Sequence, residues 1–193
     1  MYEPIYEIVN RLGPVAQELL AAWSRLPAKD CVPDRKSFDP MSIVRILPIV
    51  SLLQRTGQHE WRFRLVGTEI ERRWRRRFTG LNYIEAVSPQ AGVIMLHEFN
   101  SVVGCPCGSL AMRHVQFDSG RIETYETLRL PLRADDGSVS LILSCSGELH
   151  DRTAVIDRLR EIVTIPEQQF FDIGAGCPDR GALAQAGAPR SDH

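Results

Sequence analysis

The most concentrated group of residues that could do chemistry is 71–77, Glu-Arg-Arg-Trp-Arg-Arg-Arg, in which five arginines surround Trp74. Guanidinium groups form forked hydrogen bonds that match phosphate geometry, so this run suggests a phosphate or nucleic-acid contact. The chain has a formal net charge of -1, however, and one basic turn in such a chain is weak support for DNA binding. We therefore do not favour nucleic-acid binding.

The pairing of charges along the predicted helix weakens the phosphate interpretation further. Glu69 and Glu71 each stand four residues before an arginine, an order that favours ion pairing on a helix. This pairing leaves over Arg72, Arg76 and Arg77. We favour a solvated helix face for these three, with a docking patch for an acidic protein partner as the alternative.

The second candidate is the tripeptide 105–107, Cys-Pro-Cys, with His97 and His114 near it in the sequence. One residue between the cysteines is tighter than the spacing of zinc modules, and the chain has no second cysteine pair of that kind. A redox role has no support either, because no basic residue adjoins the thiols to lower their pKa. The sequence therefore predicts an ordinary loop here, and no metal site.

An enzyme would need a convergent set of acid, base or nucleophile, and the sequence offers none. It contains no glycine-rich phosphate loop, no nucleophile elbow and no His-Glu metal signature. Asp118, Asp135 and Asp136 lie in turn sequences. We expect a protein that is not an enzyme.

Composition gives the frame for these residues. The 193 residues are 44% hydrophobic and 24% charged, which predicts one globular domain with appendages. No apolar run approaches the roughly 18 residues that span a bilayer, and the N-terminal residues do not resemble a signal peptide. Five scattered cysteines are typical of free thiols in a reducing compartment. A cytoplasmic protein is expected.

The elements that position these residues follow from hydrophobic periodicity. Helices are predicted at 14–26, 68–77, 89–103 and 151–162, and strands at 49–54, 61–66, 110–118, 121–132 and 138–149. The last three strands are separated by short turns, so they are antiparallel neighbours. An antiparallel sheet with helices grouped on one side is an α+β fold.

Two sets of apolar residues are predicted to form packing surfaces. The first helix carries Val15, Leu19, Trp23 and Leu26, and Leu12 lies just ahead of it. We expect these five residues to form a dimer interface. The sheet is expected to face the second and third helices with Trp61, Phe63, Leu65, Val139, Leu141, Leu143 and Cys145. The serines that alternate with the last four of these residues, Val139 to Cys145, would then lie on the outer face of the sheet.

From Leu19 to about Glu148 the chain resembles small bacterial PAS proteins that have no output domain. The resemblance rests on segments 38–40 (Phe-Asp-Pro), 47–48 (Leu-Pro), 63–68 (Phe-Arg-Leu-Val-Gly-Thr), 79–80 (Thr-Gly) and the strand 128–132. It implies a PAS fold: a five-stranded antiparallel sheet with helices on one face, plus flanking N-terminal and C-terminal helices.

The resemblance sets the expected domain boundaries. Residues 1–37 form a flanking helix and connector, 38–150 the PAS domain, and 151–173 a C-terminal helix. Residues 174–193 are expected to be disordered, because 11 of these 20 are Gly, Ala or Pro.

The resemblance also implies a role in signalling and a possible ligand space between sheet and helices. If that space is not filled by side chains, the residues expected to line it are Trp74, His97, Met112 and Tyr125. We expect a cytoplasmic homodimer that acts through protein contacts, for example with a sensor histidine kinase. The alternative is a sensor that holds a small molecule, or a haem ligated by His97, inside the fold.

Overall fold

A computed structural model describes residues 5–148 and 159–178 of the chain. Its helices are α1 (Ile5–Val9), α2 (Pro14–Ser24), α3 (Thr68–Trp74), α4 (Tyr83–Ala86) and α5 (Pro89–Gly104). Its strands are β1 (Ala28–Lys29), β2 (Val32–Pro33), β3 (Val50–Gly57), β4 (Glu60–Val66), β5 (Gly108–Phe117), β6 (Ile122–Arg133), β7 (Val139–Glu148) and β8 (Leu159–Phe171). No helix in these two ranges is long and apolar enough to cross a membrane.

The main sheet has six antiparallel strands in the order β4-β3-β7-β6-β5-β8, and β1 and β2 form a separate short pair. Two strands, three helices and three strands follow one another along the chain, one helix more than predicted, because the four-residue α4 was not expected. The α+β class is confirmed. Helix α5 confirms its predicted start, because the Ser88 side chain accepts a hydrogen bond from the Ala91 N–H.

Helix α2 lies on one face of the sheet and covers its centre. Leu19 and Trp23 are buried there, and the Trp23 indole N–H donates to the Pro131 carbonyl at 2.9 Å. The helix also approaches β7 closely, since a Cβ on Gly147 would lie 3.2 Å from the Val15 Cβ. The apolar stripe of α2 therefore packs mostly against its own sheet, which leaves little of it accessible for the predicted dimer contact.

Helices α3, α4 and α5 lie on the other face of the sheet. Their core contains Trp61 and Phe63 of β4, which contact Phe99 of α5 at 5.3 Å and Phe78 at 5.4 Å between ring centroids. Aromatic side chains thus pack α5 against the edge strand β4.

The predicted face of β7 is wrong. Leu141, Leu143 and Cys145 pack under α2, while Ser144 and Ser146 face the side of α3 and α4. The alternation was correct, but α2 covers the apolar face, so the polar face is the one directed towards the other helices. Helices on both sides of the sheet cover β7, so its residues 141–145 are buried on both faces.

β-bulges explain why Leu65 left the predicted face and why Val139 stays on it while Leu141 does not. Leu52 pairs with Leu65 but the next residue, Leu53, pairs with Phe63, so Arg64 is the extra residue. The bulge places Leu65 on the α2 side, opposite Trp61 and Phe63. A bulge between Val139 and Leu141 separates those two residues in the same way.

The predicted C-terminal helix is also wrong where the structure describes it. Residues 159–162 belong to β8, which runs to Phe171 and pairs antiparallel with β5, making a sixth strand. Residues 151–158 of that prediction lie outside the described ranges. The edge of β5 offers unpaired backbone groups, and pairing with them outweighs a helical pattern in sequence.

The end of β8 is anchored in the core. Phe170 and Phe171 are both buried, on opposite faces of the sheet. Beyond them the Asp172 carboxylate accepts hydrogen bonds from the N–H groups of Gly174 and Gly176. These bonds form a turn at residues 172–176, and residues 179–193 of the tail predicted to be disordered lie outside the described residues.

Candidate ligand cavity

A cavity of about 120 Å³ lies between the centre of the sheet and the segment that carries α3 and α4. Its apolar wall includes Phe63, Ile70, Trp74, Phe78, Tyr83 and Val115. Its polar wall includes Arg113, Tyr125, Thr127, Arg129, Ser144 and Ser146. The space between sheet and helices is therefore incompletely filled, and its two walls differ in chemistry.

Of the four residues predicted to line such a space, Trp74 and Tyr125 do so. His97 is half-buried on α5, which contributes no residue to the cavity lining. Met112 is on β5 between Ala111 and Arg113, and because Arg113 faces the cavity, alternation directs Met112 to the α2 side. The structure brings two of the four together at one site and separates the others from it.

A buried ion cluster borders the cavity. The Glu98 carboxylate, on α5, accepts from Arg129 Nη1 at 2.6 Å, from Arg113 Nη2 at 3.0 Å and from the Ser109 hydroxyl at 2.5 Å. Glu98 is fully buried, and Arg113 and Arg129 are 3% and 1% exposed. The Arg129 guanidinium also lies over the Phe99 ring at 4.9 Å. These side chains connect α5 to β5 and β6.

The charges in this cluster do not balance. One carboxylate faces two guanidinium groups, which leaves one positive charge in excess. Burial alone would raise the pKa of Glu98, but the charges of Arg129 and Arg113 and the hydrogen bond from Ser109 outweigh it and lower that pKa. Burial and the charge of Arg129 lower the pKa of Arg113, although an arginine remains charged under ordinary conditions. The polar wall of the cavity therefore carries a net positive charge.

Hydrogen bonding in the cluster is incomplete as well. The Nε atoms of Arg113 and Arg129 are buried and have no hydrogen-bond partner in the structure. Buried donors are nearly always satisfied in folded proteins, so two such groups beside one cavity are unusual. Nearby, the hydroxyls of Thr127 and Ser146 lie 3.0 Å apart and bond to each other.

The cluster is absent from the predicted site residues, although the sequence carries a signal for it. Glu98 stands between Met95 and Phe99 on the apolar side of α5, and Arg129 lies within the apolar run 128–132 of β6. A charged residue on an apolar face is rarely buried without a partner. Opposite charges on a core helix and a core strand could therefore have been paired in advance.

Helix α3 covers the cavity, and a hydrogen bond from Arg73 to Tyr125 of β6 links it to the sheet. The Arg73 Nη1 donates to the Tyr125 hydroxyl at 2.8 Å, and its Nε donates to Glu69 at 2.6 Å. Hydrogen bonds from Arg72 and Arg73 lower the pKa of Glu69 to about 2, although burial acts in the opposite direction. The helix is shorter than predicted, ending at Trp74, because Arg75 adopts a left-handed conformation with φ of 47°.

The three arginines predicted to form an interaction surface lie outside the cavity and are exposed. Arg72 is bonded twice to Glu69, at 2.7 Å each, so Glu69 pairs with Arg72 as well as with Arg73. Arg76 lies over the Phe78 ring at 5.5 Å, next to Arg77 in the sequence. Arg72 and Arg76 are thus partly engaged within the protein.

The cysteines form no metal centre among residues 5–148 and 159–178, where no group of three or more ligating side chains is found. Cys105 ends α5 as its C-cap, and Cys107 is buried just before β5. Burial raises the pKa of the Cys107 thiol well above its usual range and that of Cys177 to about 11. Thiols in this state are poor nucleophiles and poor metal ligands at neutral pH.

Comparison with known proteins agrees with this architecture. A family model described as a PAS domain matches residues 13–146, from just before α2 to within β7. No curated protein matches the chain significantly. The family model covers well over half of the chain and spans both walls of the cavity, and the chain therefore belongs to the PAS domain family.

Proposed function

We propose that this protein is a cytoplasmic sensory module that takes a small molecule into the cavity and signals through protein contacts. PAS domains are typically sensory or regulatory, which supports a signalling role. The observation that carries the proposal is the cavity itself, which combines an aromatic wall with a buried cationic wall. Interiors are close-packed by default, so an amphipathic space of this kind favours a ligand site.

The position of α3 supports a route from ligand to partner. Arg73 lines the cavity, while Arg72 precedes it in the sequence and is exposed. A ligand that contacts the underside of α3 would favour one arrangement of that helix over others. The exposed surface formed by Arg72, Arg76 and Arg77 would change with it. We propose that an acidic surface of a signalling partner, such as a sensor histidine kinase, reads that change.

A haem sensor is the less favoured version of this proposal. The cavity is far smaller than a haem macrocycle, and His97 is on a helix that does not line it. Nucleic-acid binding is also less favoured, because Arg72 is bonded to Glu69 and Arg76 lies on an aromatic ring. If the protein forms a homodimer, the contact must involve residues other than the buried stripe of α2.

The proposal is tested by native mass spectrometry of the freshly purified full chain, compared with its denatured mass. We expect an excess mass that disappears on denaturation. The variant Ser144→Leu fills the cavity from β7 and should lose that mass, whereas Thr164→Leu, on the exposed side of β8, should keep it. Bare chain mass for the wild type, with no species gained when cell extract is added back, would overturn the ligand-sensor proposal.

A further inference from the structure

Resting on the proposed ligand site, we propose that its ligand is a small aromatic carboxylate. The carboxylate would contact Arg113 and Arg129, and the ring would lie against the aromatic wall formed by Phe63, Trp74, Phe78 and Tyr83. Charge, unpaired donors and cavity shape each support this assignment independently.

Charge is the first support. Glu98 compensates only one of the two buried guanidinium groups, and a buried charge without compensation is costly. A second carboxylate beside Arg113 and Arg129 would give two anions for two cations. A neutral ligand would leave the imbalance unchanged, and a cationic one would increase it.

The unpaired donors are the second support. Arg113 and Arg129 each use Nη1 and Nη2 in contacts within the protein, to Glu98, Tyr83 and Met95. Their Nε–H groups have no partner, although both residues line the cavity. A carboxylate has two oxygens and accepts from two donors at once, and hydrogen bonds between charged groups are the strong ones.

Size and shape are the third support. Phe63 stacks on Tyr83 at 5.1 Å, and Trp74 meets Phe78 edge-on at 6.0 Å, so the opposite wall is aromatic. The cavity is about 120 Å³, somewhat smaller than an engineered apolar cavity of about 150 Å³ in another protein that holds benzene, so it limits the ligand to a single small ring. An inorganic anion such as phosphate would contact the arginines but make no ring contact with the aromatic wall.

The test is isothermal titration calorimetry of the full chain, freed of any retained ligand by refolding, with four probes: benzoate, benzamide, benzyl alcohol and inorganic phosphate. We expect benzoate to bind at least about tenfold more tightly than the two neutral probes, in line with the added strength of a charged hydrogen bond. Phosphate should bind more weakly than benzoate.

Arg113→Met provides the matched variant. It removes the excess charge while Glu98 keeps Arg129 and Ser109, so the fold is expected to persist, which circular dichroism checks. The preference for benzoate over benzamide should fall to about onefold. Arg45→Met serves as control, because it breaks an exposed Arg–Glu pair with Glu18 on the surface, and it should bind benzoate like the wild type.

Three outcomes would overturn the assignment. Equal or tighter binding of benzamide or benzyl alcohol would show a ligand site that does not select an anion. Tighter binding of phosphate would show a site for inorganic anions. Binding of no probe would reject an aromatic carboxylate, and the native mass of the wild type and Ser144→Leu would still decide separately whether the cavity holds any ligand.

Discussion

At the scale of single residues, the fold depends on a charge placed where water cannot reach it. Glu98 joins α5 to β5 and β6 through two arginines and a serine. Its pKa is lowered because Arg129 and Arg113 stabilise the ionised form more than burial disfavours it. Ionised Glu98 therefore stabilises the folded state relative to the unfolded chain.

The first prediction concerns Glu98→Gln. Removing the carboxylate leaves two buried guanidinium groups without a counter-charge, so the free energy of unfolding should fall by about 3–5 kcal/mol at neutral pH. Urea denaturation followed by circular dichroism measures it. Glu18→Gln is the control, because its partner Arg45 is largely exposed, and it should cost no more than about 1 kcal/mol.

The same variant has a defined pH dependence. A lowered folded-state pKa means that the contribution of Glu98 is fully present above its unfolded value, near 4.5, and is lost as pH falls through the folded value. The stability difference between wild type and Glu98→Gln should therefore be constant above about pH 5 and shrink in more acidic solution. A difference that grew as pH fell would contradict the assignment of Glu98 as an ionised buried partner.

At the scale of elements, the sequence was most informative where a single local pattern decided the structure. Pro14 and Ser88 predicted the starts of α2 and α5, and Gly-containing turns separated β5, β6 and β7. β8 was mispredicted because a pattern of apolar residues at 155–162 fits a helix. Its partner β5 lies more than 40 residues earlier in the chain, and a local window contains no information on that pairing.

The candidate site was less predictable than the elements. Trp74 and Tyr125 are predicted correctly as polar or polarisable residues in the space between sheet and helices. The face of β7 was reversed because alternation tells which residues share a face but not which layer covers it. The ion cluster needed Glu98, Arg113 and Arg129 to be brought together from a helix and two strands, which depends on the packing of α5.

The second prediction tests the anchoring of β8. A Cβ on Gly108 would lie 2.0 Å from the Phe171 ring, so Gly108→Ala should displace that ring and lower the free energy of unfolding by about 1–3 kcal/mol. Gly104→Ala, at the end of α5, meets open space and should not be destabilising. Both are measured by urea denaturation. Equal stability of the two variants would mean that Phe171 does not pack on β5 as described.

At the scale of the whole molecule, the sheet separates two layers with different roles. α2 covers one face with a close-packed apolar interface, and α3 to α5 cover the other face around the cavity. α3 has seven residues and ends in a left-handed arginine, so it is the more easily displaced cover. Ligand binding in the cavity should therefore alter the arrangement of α3 and its exposed arginines and leave that of α2 nearly unchanged.

The measurement that tests this account most directly is hydrogen–deuterium exchange of the full chain, with and without saturating benzoate, followed by mass spectrometry. We predict slower exchange in α3 and α4, unchanged exchange in α2, and less protection of Arg113→Met at the same benzoate concentration, because that variant binds benzoate more weakly. Unchanged exchange in α3 and α4 at saturation, or an equal change in α2, would contradict the claim that the cavity is a ligand site coupled to the α3 surface.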